Sequence, residues 1–143
     1  MTMSKKTLPT VTLRPASIFR YNQREYGWKL MENVKPDDGE LTLQFDEFAK
    51  EGEPYVKGIV MMSRAKDMGR LAGQLHAERL LNNRDIPKEL RAFYPIFAGT
   101  VWCDSQDNLC VPYLEWSSTW WILRFGQLDI DFSSRGRLAR LSK

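Results

Sequence analysis

The C-terminal half of the chain carries the pattern that most constrains its fold. Three runs rich in β-branched and aromatic residues are separated by two polar stretches. The runs are 96–103, 109–116 and 119–125, and the polar stretches are Asp104–Asn108 and Ser117–Ser118. Short apolar runs between turn residues are typical of consecutive antiparallel strands. Alternating apolar and polar residues over 127–132 add a fourth strand with one wet face, so this half of the chain predicts a β-meander.

A second strand signal lies nearer the N-terminus. Apolar residues alternate with polar ones over 26–30 and again over 41–46, and the turn-forming stretch Lys35–Gly39 lies between them. Two runs of period 2 around a dense turn signal are typical of a β-hairpin. We therefore expect an early hairpin in the same sheet as the meander.

One amphipathic helix is predicted over 64–82, with Ser63 as its N-cap. At about 100° per residue, five apolar side chains share one arc of the helix, which predicts a single core-facing stripe. These residues are Ala65, Met68, Leu71, Ala72 and Leu75. Arg79 falls on the same arc, so the pattern also predicts either a bend near Gly73 or a carboxylate partner for this arginine.

These elements predict an α+β domain with a mainly antiparallel sheet, built from the early hairpin and the C-terminal meander, with one long helix on one face. A chain of 143 residues, 43% of them hydrophobic, is long enough for one core. The predicted domain spans 11–132. Residues 1–10 form a flexible basic N-terminus in this interpretation, and residues 133–143 form a basic C-terminal tail.

The tryptophans of the meander predict a protein interface. Trp120 and Trp121 are adjacent, so on a strand they face opposite sides and at least one lies outside the core. Trp116 belongs to the same cluster. Residues 92–132 carry one basic and five acidic residues, and this charge repels phosphates. Protein contact, including self-association as a homodimer, is therefore the leading function.

The spacing of Gly69 and Gly73 adds to this interface prediction. Small residues four apart on a helix let another backbone approach closely, either within the chain or from a second copy. Each glycine costs a helix about 1 kcal/mol relative to alanine, which indicates a packing reason for both.

Two alternative functions remain open. The first is a nucleic-acid-binding accessory protein, which would use the basic residues of the helix and of the C-terminal end. These residues are Arg64, Lys66, Arg70, Arg135, Arg137 and Arg140. The second is a small metal-dependent hydrolase centred on Asp129 and Asp131, because carboxylates two apart on a strand face the same side and can share a divalent cation.

The sequence predicts no catalytic constellation and no cofactor, and a binding protein is favoured over an enzyme. His76 is the only histidine, and no recognised metal-ligand spacing links it to Cys103 or Cys110. Two cysteines without an apolar leader predict a reducing, cytoplasmic location. No apolar run approaches the roughly 20 residues of a membrane helix, so no membrane partner is expected.

Overall fold

The computed structural model describes residues 7–14, 18–34, 39–82 and 86–142. These residues form ten strands and two α-helices. The strands are β1 (Val11–Leu13), β2 (Lys29–Asn33), β3 (Leu41–Asp46), β4 (Tyr55–Lys57), β5 (Tyr94–Ile96), β6 (Thr100–Cys103), β7 (Leu109–Trp116), β8 (Trp121–Gln127), β9 (Asp131–Ser133) and β10 (Gly136–Ser142). The helices are α1 (Gly58–Met68) and α2 (Gln74–Leu81), and 3-10 helices cover Gln23–Tyr26 and Lys88–Ala92.

Eight of the strands form one mainly antiparallel sheet, which confirms the predicted mixture of helices with an antiparallel sheet. Its order is β1-β3-β10-β5-β7-β6-β2, and β8 also pairs with β7. The contact between β10 and β5 is parallel, and the other pairs in this sheet are antiparallel. Strands β4 and β9 pair separately as a two-stranded ribbon.

The predicted meander is present as β6, β7 and β8, with turns at the two predicted polar stretches. The predicted fourth strand over 127–132 is not formed as one element. A turn at 128–130 follows β8, and the chain then enters β9, which pairs with β4. Leu128 and Phe132 are buried at either side of this turn.

The predicted early hairpin is wrong. The strand predicted over 41–46 is β3, whereas the strand predicted over 26–30 starts later, as β2 (Lys29–Asn33), after a 3-10 helix that ends at Tyr26. Strand β2 pairs with β6, whereas β3 pairs with β1 and β10, so the two strands lie far apart in the sheet. Residues 35–38 of the predicted turn lie outside the described residues. Alternation of apolar and polar residues identifies a strand and its buried face, but it does not determine which other strand pairs with it.

The single long helix is also wrong, because the chain forms two helices with an extended segment between them. Gly69 ends α1 with a φ of +74°, a conformation that favours glycine. Residues 70–72 then lie within the sheet. Leu71 pairs with Arg140, Leu141 N donates to the carbonyl of residue 70, and Ala72 N donates to the carbonyl of residue 139. On the other side Gly99 N donates to Ala72 O, and α2 begins after Gly73.

The two helices belong to different cores, rather than packing together on one face. Met61, Met62 and Ala65 of α1 form one core with Ile96 and Leu138. The other core contains Ala77 and Leu80 of α2, together with Phe97, Leu114 and Ala139. Adjacent strand residues such as Leu138 and Ala139 enter different cores because successive side chains point to opposite faces. The sheet is therefore apolar on both faces, and the segment 69–73 connects the helices through it.

The C-terminal end belongs to the domain rather than to a tail. Residues 136–142 form β10, which lies between β3 and β5, and Leu138 and Ala139 are fully buried. The arginines of this segment give it the appearance of a basic tail, so the sequence pattern does not predict a strand there. Of the predicted basic N-terminus, residues 1–6 lie outside the described residues, and Leu8 packs against the core that contains α2.

Gly99→Ala tests the passage of the chain through the sheet. A Cβ at this position would lie 2.9 Å from Ala72 O and 3.0 Å from Leu71 O, and both are backbone atoms. We expect the free energy of unfolding to fall by about 1–3 kcal/mol, the usual cost of overpacking. Chemical denaturation measures this change, and an unaltered midpoint and slope would contradict the described crossing.

Candidate partner-binding surface

The tip of the β7–β8 hairpin presents one of the predicted tryptophans to solvent. The Trp120 side chain is 63% exposed. The turn is held by two bonds to Trp120 O, from Ser117 N at 2.9 Å and from Ser117 Oγ at 2.8 Å. Ser118 adopts a φ of +78°, which keeps the turn tight. The exposed ring thus stands on a well-fixed hairpin.

Trp116 and Trp121 form the base of this tip. They are opposite each other on β7 and β8, with ring centroids 5.6 Å apart and an edge-to-face angle of 61°. The Arg91 guanidinium lies 4.0 Å from the Trp116 ring centroid, within cation–π range. Trp121 also packs against the core that contains α2. The hairpin thus brings together the three tryptophans that the sequence predicts at an interface. Of the three, Trp120 alone is mainly exposed.

Gly69 and Gly73 lie away from this tip, at the two ends of the segment that joins the helices. Gly73 is buried, and a Cβ there would lie 2.6 Å from Thr100 Oγ1 and 2.7 Å from Val34 Cγ1. The close approach that the glycine spacing predicts is thus made within the chain at Gly73.

A small pocket lies on the face of the β7–β8 hairpin that carries Tyr113, Glu115 and Arg124, at the margin of the core that contains α1. Its volume is about 130 Å³. Its lining residues are Tyr94, Tyr113, Glu115, Gly126, Ile130, Asp131 and Phe132. The two tyrosine rings are 5.6 Å apart at an angle of 63°, and Tyr94 Oη donates to Ser133 O at 2.8 Å. Burial raises the pKa of both phenols, so they are neutral at physiological pH.

The rim of the pocket is acidic and apolar. Glu115 forms an ion pair with Arg124 at 2.8 Å, and both side chains are about half exposed. Asp131 is exposed and forms no ion pair with any described residue. The Ile130 side chain is 52% exposed.

The two predicted metal ligands occupy different elements. Asp129 lies in the turn after β8, whereas Asp131 begins β9 opposite Lys57. Within the described part of the chain, no group of three or more His, Cys, Asp or Glu residues is placed to hold a metal ion.

The predicted nucleic-acid residues have carboxylate partners in four of six cases. The pairs are Arg64–Glu53, Lys66–Glu32, Arg137–Glu47 and Arg140–Asp46. The hydrogen bonds from Arg64 lower the pKa of Glu53 to about 2. Arg70 is exposed after α1, and Arg135 Nε donates to Ala92 O. These ion pairs offset much of the positive charge that a phosphate backbone would need.

His76 and the cysteines serve the fold. Gly73 N donates to His76 Nδ1 at 3.0 Å, so the neutral imidazole carries its proton on Nε2. The ring is fully buried, and burial lowers its pKa to about 4. Cys103 and Cys110 are free thiols on the β6–β7 hairpin. Burial raises the pKa of Cys110 to about 11, which makes it a poor nucleophile at neutral pH.

A buried polar cluster on α2 has no counterpart in the sequence analysis. Trp102 Nε1 donates to Gln74 Oε1 at 2.7 Å, and Gln74 Nε2 donates to Tyr21 O at 2.8 Å. The Glu78 carboxylate accepts the backbone N–H groups of residues 20 and 21. Glu78 is buried and Arg79 is exposed, because α2 starts anew after the break and does not continue the predicted helical phase.

Comparison of the chain with protein-family models, curated proteins and solved structures finds no match. In the described residues, neither helix has the length and apolar character needed to cross a bilayer.

Acid destabilisation tests the environment of His76. An unfolded histidine has a pKa near 6.5, so between pH 6.5 and 4 the unfolded chain binds a proton that the folded chain excludes. The stability contributed by neutral His76 is therefore present above pH 6.5 and is lost as pH falls towards 4, by about 3 kcal/mol.

We expect His76→Asn to remove this part of the pH dependence, since Asn Oδ1 can accept the Gly73 N–H in place of Nδ1. Urea denaturation of both proteins between pH 4 and 7 measures the effect. Because His76 is the only histidine, no other imidazole contributes. Parallel pH profiles for the two proteins would contradict the assignment.

Proposed function

We propose that this chain is a non-enzymatic protein-binding domain, and that the tip of the β7–β8 hairpin, together with its face around Tyr113 and Glu115, forms the contact surface. The exposure of Trp120 carries the proposal. Tryptophan is enriched among the residues that dominate interface energies, and exposing its large apolar surface is unfavourable without a partner. The fixed turn beneath it lowers the entropy lost on binding.

Two neighbouring features support the same surface. Among the described strands β8 pairs with β7 alone, so one of its edges is open to a strand from a partner. The pocket lined by Tyr113, Glu115 and Gly126 adds a concave feature on the same hairpin. A second copy of this chain is one candidate partner, since two-fold dimers are the commonest oligomers.

Trp120→Ser tests the proposal, with Tyr26→Ser as the matched control. Tyr26 is 70% exposed and belongs to the 3-10 helix Gln23–Tyr26, a separate element from the hairpin. We expect Trp120→Ser to weaken partner binding by at least about tenfold and to leave stability within about 0.5 kcal/mol, whereas the control retains binding.

Sedimentation at micromolar concentrations measures self-association, and affinity capture from the source cell with each variant measures binding to other proteins. A 16.7 kDa monomer combined with identical captured proteins for wild type and Trp120→Ser would refute the proposal. A loss of stability above about 2 kcal/mol in Trp120→Ser would also contradict it, because the ring would then act in the fold.

A further inference from the structure

The pocket between Tyr94 and Tyr113 has a chemistry of its own. We propose that it receives the cationic side chain of a partner protein, an arginine or a lysine. The preference of the pocket for a cation follows from the residues of its walls and rim. The choice of a partner protein as the source of that cation rests on the proposed function.

The walls of the pocket are aromatic. The Tyr94 and Tyr113 rings meet at an angle, and Phe132 completes the apolar lining. Because Gly126 has no side chain, the Phe132 and Tyr113 rings pack directly over its backbone, and a Cβ there would lie 3.0 Å from Phe132 Cζ and 3.2 Å from Tyr113 Cε1. Faces of tyrosine rings attract ammonium and guanidinium groups that approach within about 6 Å of the centroid.

The rim of the pocket supplies negative charge. Glu115 and Asp131 are its two ionisable carboxylates, and none of the lining residues is basic. Arg124 already pairs with Glu115, whereas Asp131 is exposed and, although Lys57 lies opposite it on β4, forms no ion pair with a described residue. A carboxylate beside aromatic faces favours a cation over a neutral or anionic side chain.

The size of the pocket sets the scale of the ligand. Small-molecule and cofactor sites usually occupy about 300–1,000 Å³, well above the 130 Å³ found here. The end of a single long side chain fits this volume. Such a side chain would lie on the same face of the hairpin as Glu115 and Ile122, while Trp120 contacts the partner at the tip.

Titration of the ¹⁵N-labelled protein with acetyl-Gly-Arg-Gly-amide and acetyl-Gly-Lys-Gly-amide tests the inference. The matching norleucine peptide is the neutral control. We expect the cationic peptides to shift the amide signals of Tyr113, Gly126 and Asp131, with dissociation constants roughly in the millimolar range. The norleucine peptide should leave these signals unchanged.

Asp131→Asn and Asp129→Asn form a matched pair, because each removes one negative charge from an exposed position. Asp129 is not part of the pocket lining. We expect Asp131→Asn to weaken binding of the arginine peptide about five- to tenfold, and Asp129→Asn by less than about twofold. Equal losses in the two variants, binding of the norleucine peptide, or no shift with either cationic peptide would overturn the inference.

The two proposals fail separately. Trp120→Ser should leave the peptide titration unchanged, because Trp120 does not line the pocket. Peptide binding without any association that depends on Trp120 would support the pocket chemistry and remove the proposed function. Partner binding that depends on Trp120, without any peptide shift, would overturn the pocket and leave the proposed function in place.

Discussion

The passage of residues 69–73 through the sheet organises the whole domain. Hydrogen bonds to β10 on one side and to Gly99 on the other fix this segment in the plane of the sheet. Because the segment enters from α1 and leaves into α2, the two helices cover different cores. Three glycines make this passage sterically feasible. Gly69 adopts a positive φ, Gly73 lies close to the side chains of Thr100 and Val34, and Gly99 lies close to the backbone of residues 71 and 72.

A sheet that is apolar on both faces leaves few places for a partner. The centre of the sheet is covered by the two helices and by the β4–β9 ribbon, and Ile96, Leu114 and Leu138 are fully buried there. The tip of the β7–β8 hairpin is exposed at Trp120 and is continuous with two paired strands, so it combines exposure with rigidity. Recognition built on such an element loses little conformational entropy.

The sequence could predict what depends on local pattern. Strands β6, β7 and β8 follow one another along the chain and pair in that order, so short turns and period 2 were sufficient. The early hairpin failed because β2 and β3 find distant partners, which period 2 does not specify. The continuous helix failed because residues 70–72 keep a helical spacing of apolar side chains although their backbone pairs with β10.

Only those parts of the candidate site that are close together in the sequence could be predicted from it. The adjacency of Trp120 and Trp121 predicts one exposed ring only if both lie on a strand, whereas Trp120 lies in the turn before β8 and owes its exposure to that turn. The pocket combines residues from β5, β7, β8 and β9, and no short motif contains them. Strand β10 was missed because Arg137 and Arg140 resemble solvent-exposed charge, whereas in the fold they bond to backbone carbonyls and to Glu47 and Asp46.

The central position of β10 has a consequence for synthesis of the protein. Both β3 and β5 expose an unpaired edge until β10 leaves the ribosome, because β10 is made after every other described strand and separates these two. Over the same interval each core lacks its buried β10 side chain, Leu138 in the core that contains α1 and Ala139 in the core that contains α2. The sheet is therefore completed only after residues 136–142 have been synthesised, and until then the open edges of β3 and β5 are sites where another chain can pair.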